Sequence, residues 1–266
     1  MPHGHAEEWY TLALLVTALL YGSGLARLWS HTGLGHGASV PGVILFSCGW
    51  LVLAGTVLTP LHDTGRIVFS LHMVEHELLM AVAAPLLVLA RPMPVFLWAM
   101  GRRVSRWLAA AVSWPPIEVP WALISRPLPA TIIHGMALWL WHLPVPFQST
   151  LTGEGMHALQ HASFFLAALL FWNALLPPAS RASKVLPTSM ALFATSVHSS
   201  ILGALLTFSP RLWYPNAADP YPICGLTRWE DQQLAGLVMW VPVGIIYLAA
   251  ALWMIARAFP ARSVSS

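Results

Sequence analysis

Charge is what this chain has least of. Only 9% of its 266 residues are Asp, Glu, Lys or Arg, while 57% are hydrophobic. A soluble domain carries roughly 25% charged residues, and the mean hydropathy here is +0.67. A water-soluble globular fold is thereby excluded, and a polytopic membrane protein is what remains. Thirteen Lys and Arg set against ten Asp and Glu leave a net charge of +3. The basic residues are scattered, so a nucleic-acid-binding surface is excluded as well. Cysteine is nearly absent, with only Cys48 and Cys224. Cys48 is predicted in the inner half of the second helix and Cys224 in the outer loop before the seventh, which argues against a disulfide between them. Cys48 reads as a small packing residue, and Cys224 as a free thiol that could serve as a soft ligand. The first apolar run follows Glu7 and Glu8 rather than a basic segment. With no small-residue cleavage site after it, it reads as a retained span and not a signal peptide. Repeats and low-complexity tracts are lacking too.

What is present is a series of apolar runs bounded by Pro, Gly and charge. They predict a single all-α integral membrane domain over 1–266, with seven transmembrane helices near 9–30, 41–60, 67–90, 127–148, 155–177, 187–209 and 230–256. Between the third and fourth runs, "GRRVSRWLAAAVSW" (101–114) predicts a basic amphipathic segment lying on the cytoplasmic membrane surface. With the N-terminus outside, ten of the thirteen Lys and Arg fall on the cytoplasmic side, and only Arg66, Arg211 and Arg228 fall outside. The positive-inside rule therefore places the N-terminus outside and the C-terminus in the cytoplasm.

The chemistry is carried by histidine. In "HMVEHELLM" (72–80), His72 and His76 stand four residues apart on one helix face, with Met80 extending the stripe. At about 1.5 Å per residue they lie roughly 8 and 14 Å below the outer end of their helix. "MHALQH" places His157 and His161 on one face near the outer mouth of the fifth helix. His142, His198, Asp231 and Met239 are brought by other helices toward the same half of the membrane. Ionisable groups in a bilayer are costly and face a bundle interior, a partner or a functional path. Two HxxxH pairs from two helices can hold a metal ion through imidazole nitrogens, each ring fixed by a hydrogen bond from its other nitrogen. Met80 and Met239 favour a soft ion, copper above all in its reduced form.

Other groups weigh less. A lone histidine such as His134 reads as a packed core residue, and methionines alone read as gap-fillers. Glu75, Glu77 and Asp231 are open as partners of the ligands, as a proton path or as structural pairs. His3 and His5 in "MPHGH" are terminal, and Pro2 lacks the amide proton that an amino-terminal copper chelate uses. His31 and His36 fall on the cytoplasmic side.

The segments "HMVEHELLMAVAAPLLVLARP", "LWLWHLP", "HALQHASFFLAALLFW" and "DQQLAGLVMWVP", in that order, resemble the multi-spanning CtaG-type cytochrome c oxidase assembly factors. This is the seven-helix kind, not the unrelated single-span copper chaperone that shares the name. The resemblance covers roughly residues 10 to 256. Glu77 stands where an apolar residue is expected, and Ala84 where the family often has a second proline. The resemblance implies a multi-pass protein of the bacterial plasma membrane that matures haem–copper oxidases. It carries the family's paired histidines onto His72, His76, His157 and His161, and its acid in the seventh helix onto Asp231.

The expectation is a non-enzymatic copper-handling factor with His72, His76, His157 and His161 as ligands and Met80, His198 and Asp231 as further candidates. Its partners would be an oxidase subunit and an extracytoplasmic copper chaperone, besides membrane lipid. A zinc-dependent intramembrane hydrolase is the first rival: His157, His161 and Asp231 could hold zinc, with Glu75 or Glu77 as base. A carrier of one bis-histidine haem is the second. A through-membrane copper path by way of His134, Cys48 and Met136 ranks below delivery at the outer face.

Overall fold

Prolines open most of the helices. Ten helices and two shorter ones follow one another through residues 5–176, 185–214 and 225–258, the residues that the computed structural model describes. The first are α1 (His5–Thr32), α2 (Val40–Leu58), α3 (Pro60–Gly65) and α4 (Phe69–Glu77). A π-helical turn (Leu78–Ala83) leads from α4 into α5 (Ala84–Ala90). Then come α6 (Met93–Val112), α7 (Pro115–Ile124), α8 (Pro127–Trp141), α9 (Pro144–Thr152), α10 (Glu154–Leu175), α11 (Val185–Thr207) and α12 (Arg228–Ala258). There is no β-strand among the described residues. A side-chain oxygen starts some of these helices: Ser39 accepts from Gly42 N–H at α2, and Thr59 from Leu61 N–H at α3.

Six helices are long and apolar enough to cross a membrane: α1, α2, the continuous run Phe69–Ala90, α10, α11 and α12. The run expected at 127–148 is interrupted. Pro144 has no N–H for the Leu140 carbonyl and its ring crowds that oxygen, and the residue before a proline avoids helical geometry. Leu143 accordingly turns to φ −65°, ψ 144°, and the chain restarts as α9. At 15 residues, α8 alone rises about 22 Å. A second proline acts more gently. Pro85 cannot donate to the carbonyl of Ala81, and the helix widens into the π turn just ahead of it, Ala84 N–H reaching back to Leu79 O. The helix thereby continues instead of breaking. The basic segment near 101–114 forms the later part of α6, which ends at Val112 and is bent at Gly101 (φ 77°), beyond which Arg102, Arg103 and Arg106 are exposed.

The core is built around α10. His157, Gln160, His161, Phe164, Ala168, Phe171, Trp172 and Leu175 recur at spacings of three and four and are all buried. The upper turns of this stripe are polar and the lower turns aromatic. Its lower part packs in one cluster with Met80, Leu138, Leu192, Leu206, Met239 and Tyr247. Trp172 Nε1 donates to the Met80 carbonyl in the π turn (2.9 Å). Cys48, read from sequence as a packing residue, is a free thiol exposed on α2: its position on that helix turns away from the bundle. Cys224 lies outside the described residues.

α11 and α12 approach closely where both carry glycine. A Cβ on Gly203 would lie 2.8 Å from Gly236 O, and one on Gly236 would strike Thr207 Oγ1 and the backbone of Gly203 and Thr207. Small residues permit this contact, and dispersion across it holds the two helices together. The substitution Gly236→Ala should therefore cost about 1–3 kcal/mol, read as a lowered thermal midpoint in detergent. Gly22→Ala, whose Cβ meets nothing within 4 Å, should cost nothing. Equal midpoints in the two variants would show that the helices do not pack this tightly.

Candidate metal centre

Four donor atoms converge at the α3 end of the bundle. One ligand atom each from His72, Glu75, His157 and His161 lies within 4.8 Å of all the others, and all four side chains are buried. The spacing explains the convergence. His72, Glu75 and His76 occupy one buried face of α4, and His157, Gln160 and His161 the facing turns of α10. The ring centroids of His72 and His157 are 5.1 Å apart, and those of His157 and His161 4.3 Å. His76 adjoins the group at 4.3 Å from His72 and 5.1 Å from His161.

Partner groups orient the donors. Glu75 Oε1 accepts from His62 Nδ1 at 3.1 Å, and the His62 ring stacks on His157 at 4.8 Å. His72 Nε2 meets Gln160 Oε1 at 3.2 Å, which leaves His72 Nδ1 as the unpartnered nitrogen. A hydrogen bond from one ring nitrogen fixes the ring and leaves the other nitrogen's lone pair for a metal. Gly65 closes against the site: a Cβ there would lie 2.6 Å from Glu75 Oε2. Aromatic rings complete the wall, Phe147 edge-on to His72 (5.3 Å) and Phe164 edge-on to His76 (4.6 Å).

Seven ring nitrogens in this cluster have no hydrogen-bond partner among the described residues: one each on His72, His142 and His157, and both on His76 and His161. Leaving a buried polar atom unsatisfied costs about 1–3 kcal/mol, and apolar rings cannot relieve it. A metal ion relieves several at once. Three imidazoles and a carboxylate are a set suited to zinc or copper, so the residues fit such an ion.

The other residues singled out in the sequence are placed elsewhere. Asp231, on α12, accepts from the backbone N–H groups of Phe69 (2.7 Å) and Ser70 (3.1 Å). Val68, at the start of α4, supplies no side-chain cap, and Asp231 does so from across the bundle, its charge favoured at a helix N-terminus. It positions the helix that carries His72 and His76. Met80 is buried in the apolar core beside Trp172, and Met239 belongs to the same core. His198 is half-buried on α11, where its Nδ1 accepts from Trp139 Nε1 (3.4 Å) and its Nε2 lies against Gly135. His134 shares Nε2 with the Tyr247 hydroxyl (3.3 Å) and stacks on Phe171.

Sequence reasoning missed His62 and Gln160. His62 sits on the six-residue α3, too short to register as an element, yet "TPLHDTG" stands between two apolar runs at the same membrane end as the HxxxH motifs. Gln160 was legible as the position three residues after His157, hence on the same stripe.

The cap is testable by stability. Asp231→Ala should lower the thermal midpoint by an amount equivalent to about 0.5–2 kcal/mol. Asp231→Asn, which keeps an accepting oxygen, should fall less. If neither moves it, the two amides do not depend on this carboxylate.

No curated protein and no solved structure matches the chain. The family model described as cytochrome c oxidase caa3 assembly factor matches residues 19–260. That stretch begins within α1, runs through every element carrying the histidine cluster and includes the helix of the Asp231 cap. The chain belongs to the cytochrome c oxidase caa3 assembly factor (Caa3_CtaG) family.

Proposed function

We propose that this protein serves cytochrome c oxidase assembly by binding copper at the histidine cluster and passing it to an oxidase subunit. One observation carries the reading: four buried donors, His72, Glu75, His157 and His161, converge within 4.8 Å in a member of an oxidase assembly family. Copper is cargo here, arriving in reduced form from an extracytoplasmic chaperone, and the protein acts without catalysing a reaction. His76 adjoins the same donors as a further ligand. Asp231 contributes by fixing α4. The donor set is nitrogen and oxygen, and imidazole binds copper in either oxidation state.

The same reading gives the protein its setting. It crosses the plasma membrane of a bacterium seven times, α8 and α9 together making the fourth crossing, with the N-terminus outside and the C-terminus in the cytoplasm. That orientation keeps most of the basic residues in the cytoplasm and turns the α3 end, with His62 and the cluster below it, toward the side where an extracytoplasmic donor would approach.

Anaerobic metal binding to the detergent-purified protein tests this. Reduced copper should bind tightly and in preference to zinc, and His72→Ala and His157→Ala should both abolish tight binding. His62→Ala, which removes an orienting partner, should weaken affinity by about 10–100-fold. A preference for zinc would replace this reading with the zinc-dependent hydrolase. Failure to bind either metal would overturn it.

A further inference from the structure

The histidine cluster occupies the α3 end of the bundle, and a cavity that reaches the opposite end plays no part in it. This groove of about 1130 Å³ lies between two hydrophobic clusters, the one of Tyr21, Phe46 and Val95 and the one built on α10. Phe46, Leu87 and Phe96 line it from one side, and Ala137, Phe165 and Leu169 from the other. Pockets for small molecules hold roughly 300–1,000 Å³, so a larger apolar guest fits here. Arg91 and Asn173 are among the few polar residues of the lining. Both are exposed, and among the described residues neither side chain has a hydrogen bond or an ion pair.

Arg91 stands at the depth of a lipid headgroup. It follows the run Phe69–Ala90, whose 22 residues rise about 33 Å, against a hydrocarbon thickness of about 30 Å. Its backbone is left-handed (φ 49°), and no other residue except glycine has a positive φ among the described residues. Glycine takes that geometry at a helix end without strain. An arginine held there marks its side chain as needed at this point. Arg91 also borders a second cavity, of about 400 Å³, beside Ser39, Gly42 and Pro94 at the start of α2. Val88, Arg91 and Leu176 thus border both spaces. Asn173 lies three residues before Leu176, about 4.5 Å deeper along α10.

An apolar groove that ends at an unpaired cation suits an amphiphile with an anionic head. We propose that the groove binds an anionic phospholipid, with its phosphate on Arg91, an ester carbonyl on Asn173 and an acyl chain along the walls formed by α5, α6 and α10. Basic pockets between membrane helices on the cytoplasmic side bind such headgroups, and the orientation given above puts Arg91 on that side. Arg102, Arg103 and Arg106 line neither cavity and contribute only to the general surface charge. The lipid fills the space between the two clusters and so joins α1 and α2 to α8 and α10.

Lipid retention by the full chain tests this. Detergent-purified protein, washed free of lipid, is titrated with phosphatidylglycerol or with phosphatidylcholine of the same chains, and bound lipid is counted by native mass spectrometry. Wild type should bind phosphatidylglycerol about five-fold more tightly, the difference that one arginine near the surface makes. Arg91→Gln should lose the preference and Arg103→Gln should keep it. A phosphatidylglycerol with a diazirine in one acyl chain should crosslink to wild type at peptides containing Leu87, Phe96 or Leu169. Equal binding of the two lipids by wild type would overturn the proposal, and so would a preference that survives in Arg91→Gln. A preference lost equally in both variants would assign it to diffuse charge and overturn the groove as its source. Crosslinks confined to other helices would place the lipid elsewhere, and this readout needs no variant to fold.

Discussion

Burying imidazoles among aromatic rings is the constraint on which the rest of this structure depends. Each ring nitrogen removed from water needs a partner, and the apolar bundle supplies few. The partners that do exist are few and specific: Glu75 for His62, Gln160 for His72, and the Leu138 carbonyl for His142. Each occupies one nitrogen, and the other nitrogens of His72 and His142 are buried without a partner among the described residues. Seven unpartnered nitrogens at about 1–3 kcal/mol each rival the 5–15 kcal/mol by which whole domains are stable. A bundle with that much unsatisfied polarity at its centre would be expected to lose those histidines to leucine or phenylalanine unless something binds them.

The irregularities of the fold serve the same place. A straight helix through Pro85 would clash with the carbonyl of Ala81, and the π turn lets α4 and α5 run as one element while Met80 O accepts the Trp172 indole. That contact ties α4 to α10, the two helices that supply the facing donors. The break at Pro144 is the opposite device. It terminates α8 at His142 and begins α9, which brings Phe147 against His72 and beside Tyr214. Tyr214 in turn donates its hydroxyl to the His142 carbonyl (2.7 Å). Asp231 anchors the third side, holding the first amides of α4 from α12. Helix register, and through it the positions of His72 and His76, is thereby fixed at both ends of the donor segment.

The helical class and the shared face of the two rings within each HxxxH motif are legible because both depend on spacing alone. Apolar runs define helices, and a spacing of four puts two rings on one face whatever the tertiary fold. Partners that come from other elements were not legible. Asp231 reads in sequence as an acid near the cluster, and its hydrogen bonds to Phe69 and Ser70 emerge only once α12 lies against α4. His198 was grouped with the cluster by depth along its helix, but depth says nothing about azimuth, and α11 turns it toward Trp139 and Gly135. In sequence, the stripe formed by the methionines points to soft ligands. Once packed, Met80 and Met239 share a core with Leu192, Leu206 and Trp172. His62 went unseen for another reason: it lies between apolar runs, where periodicity carries no signal.

On the proposed copper-transfer reading, the centre has to hold its ion and also release it, and the distribution of regular structure bears on that. The inner donors sit on long helices, α10 and the continuous run through α4, whose backbone bonds hold them in place. His62 sits on α3, a six-residue helix with little regular structure to hold it, and contacts Tyr10 of α1 edge-on at 6.0 Å. Short helices are marginal by themselves, so displacing α3 demands far less than displacing α4 or α10. Moving it would carry His62 away from Glu75 and free Oε1 of that carboxylate. It would also withdraw Gly65, the residue whose lack of a side chain lets the chain close over Glu75. The shortest helix at the site thus carries the residue that orients Glu75, while the donors themselves lie on long helices.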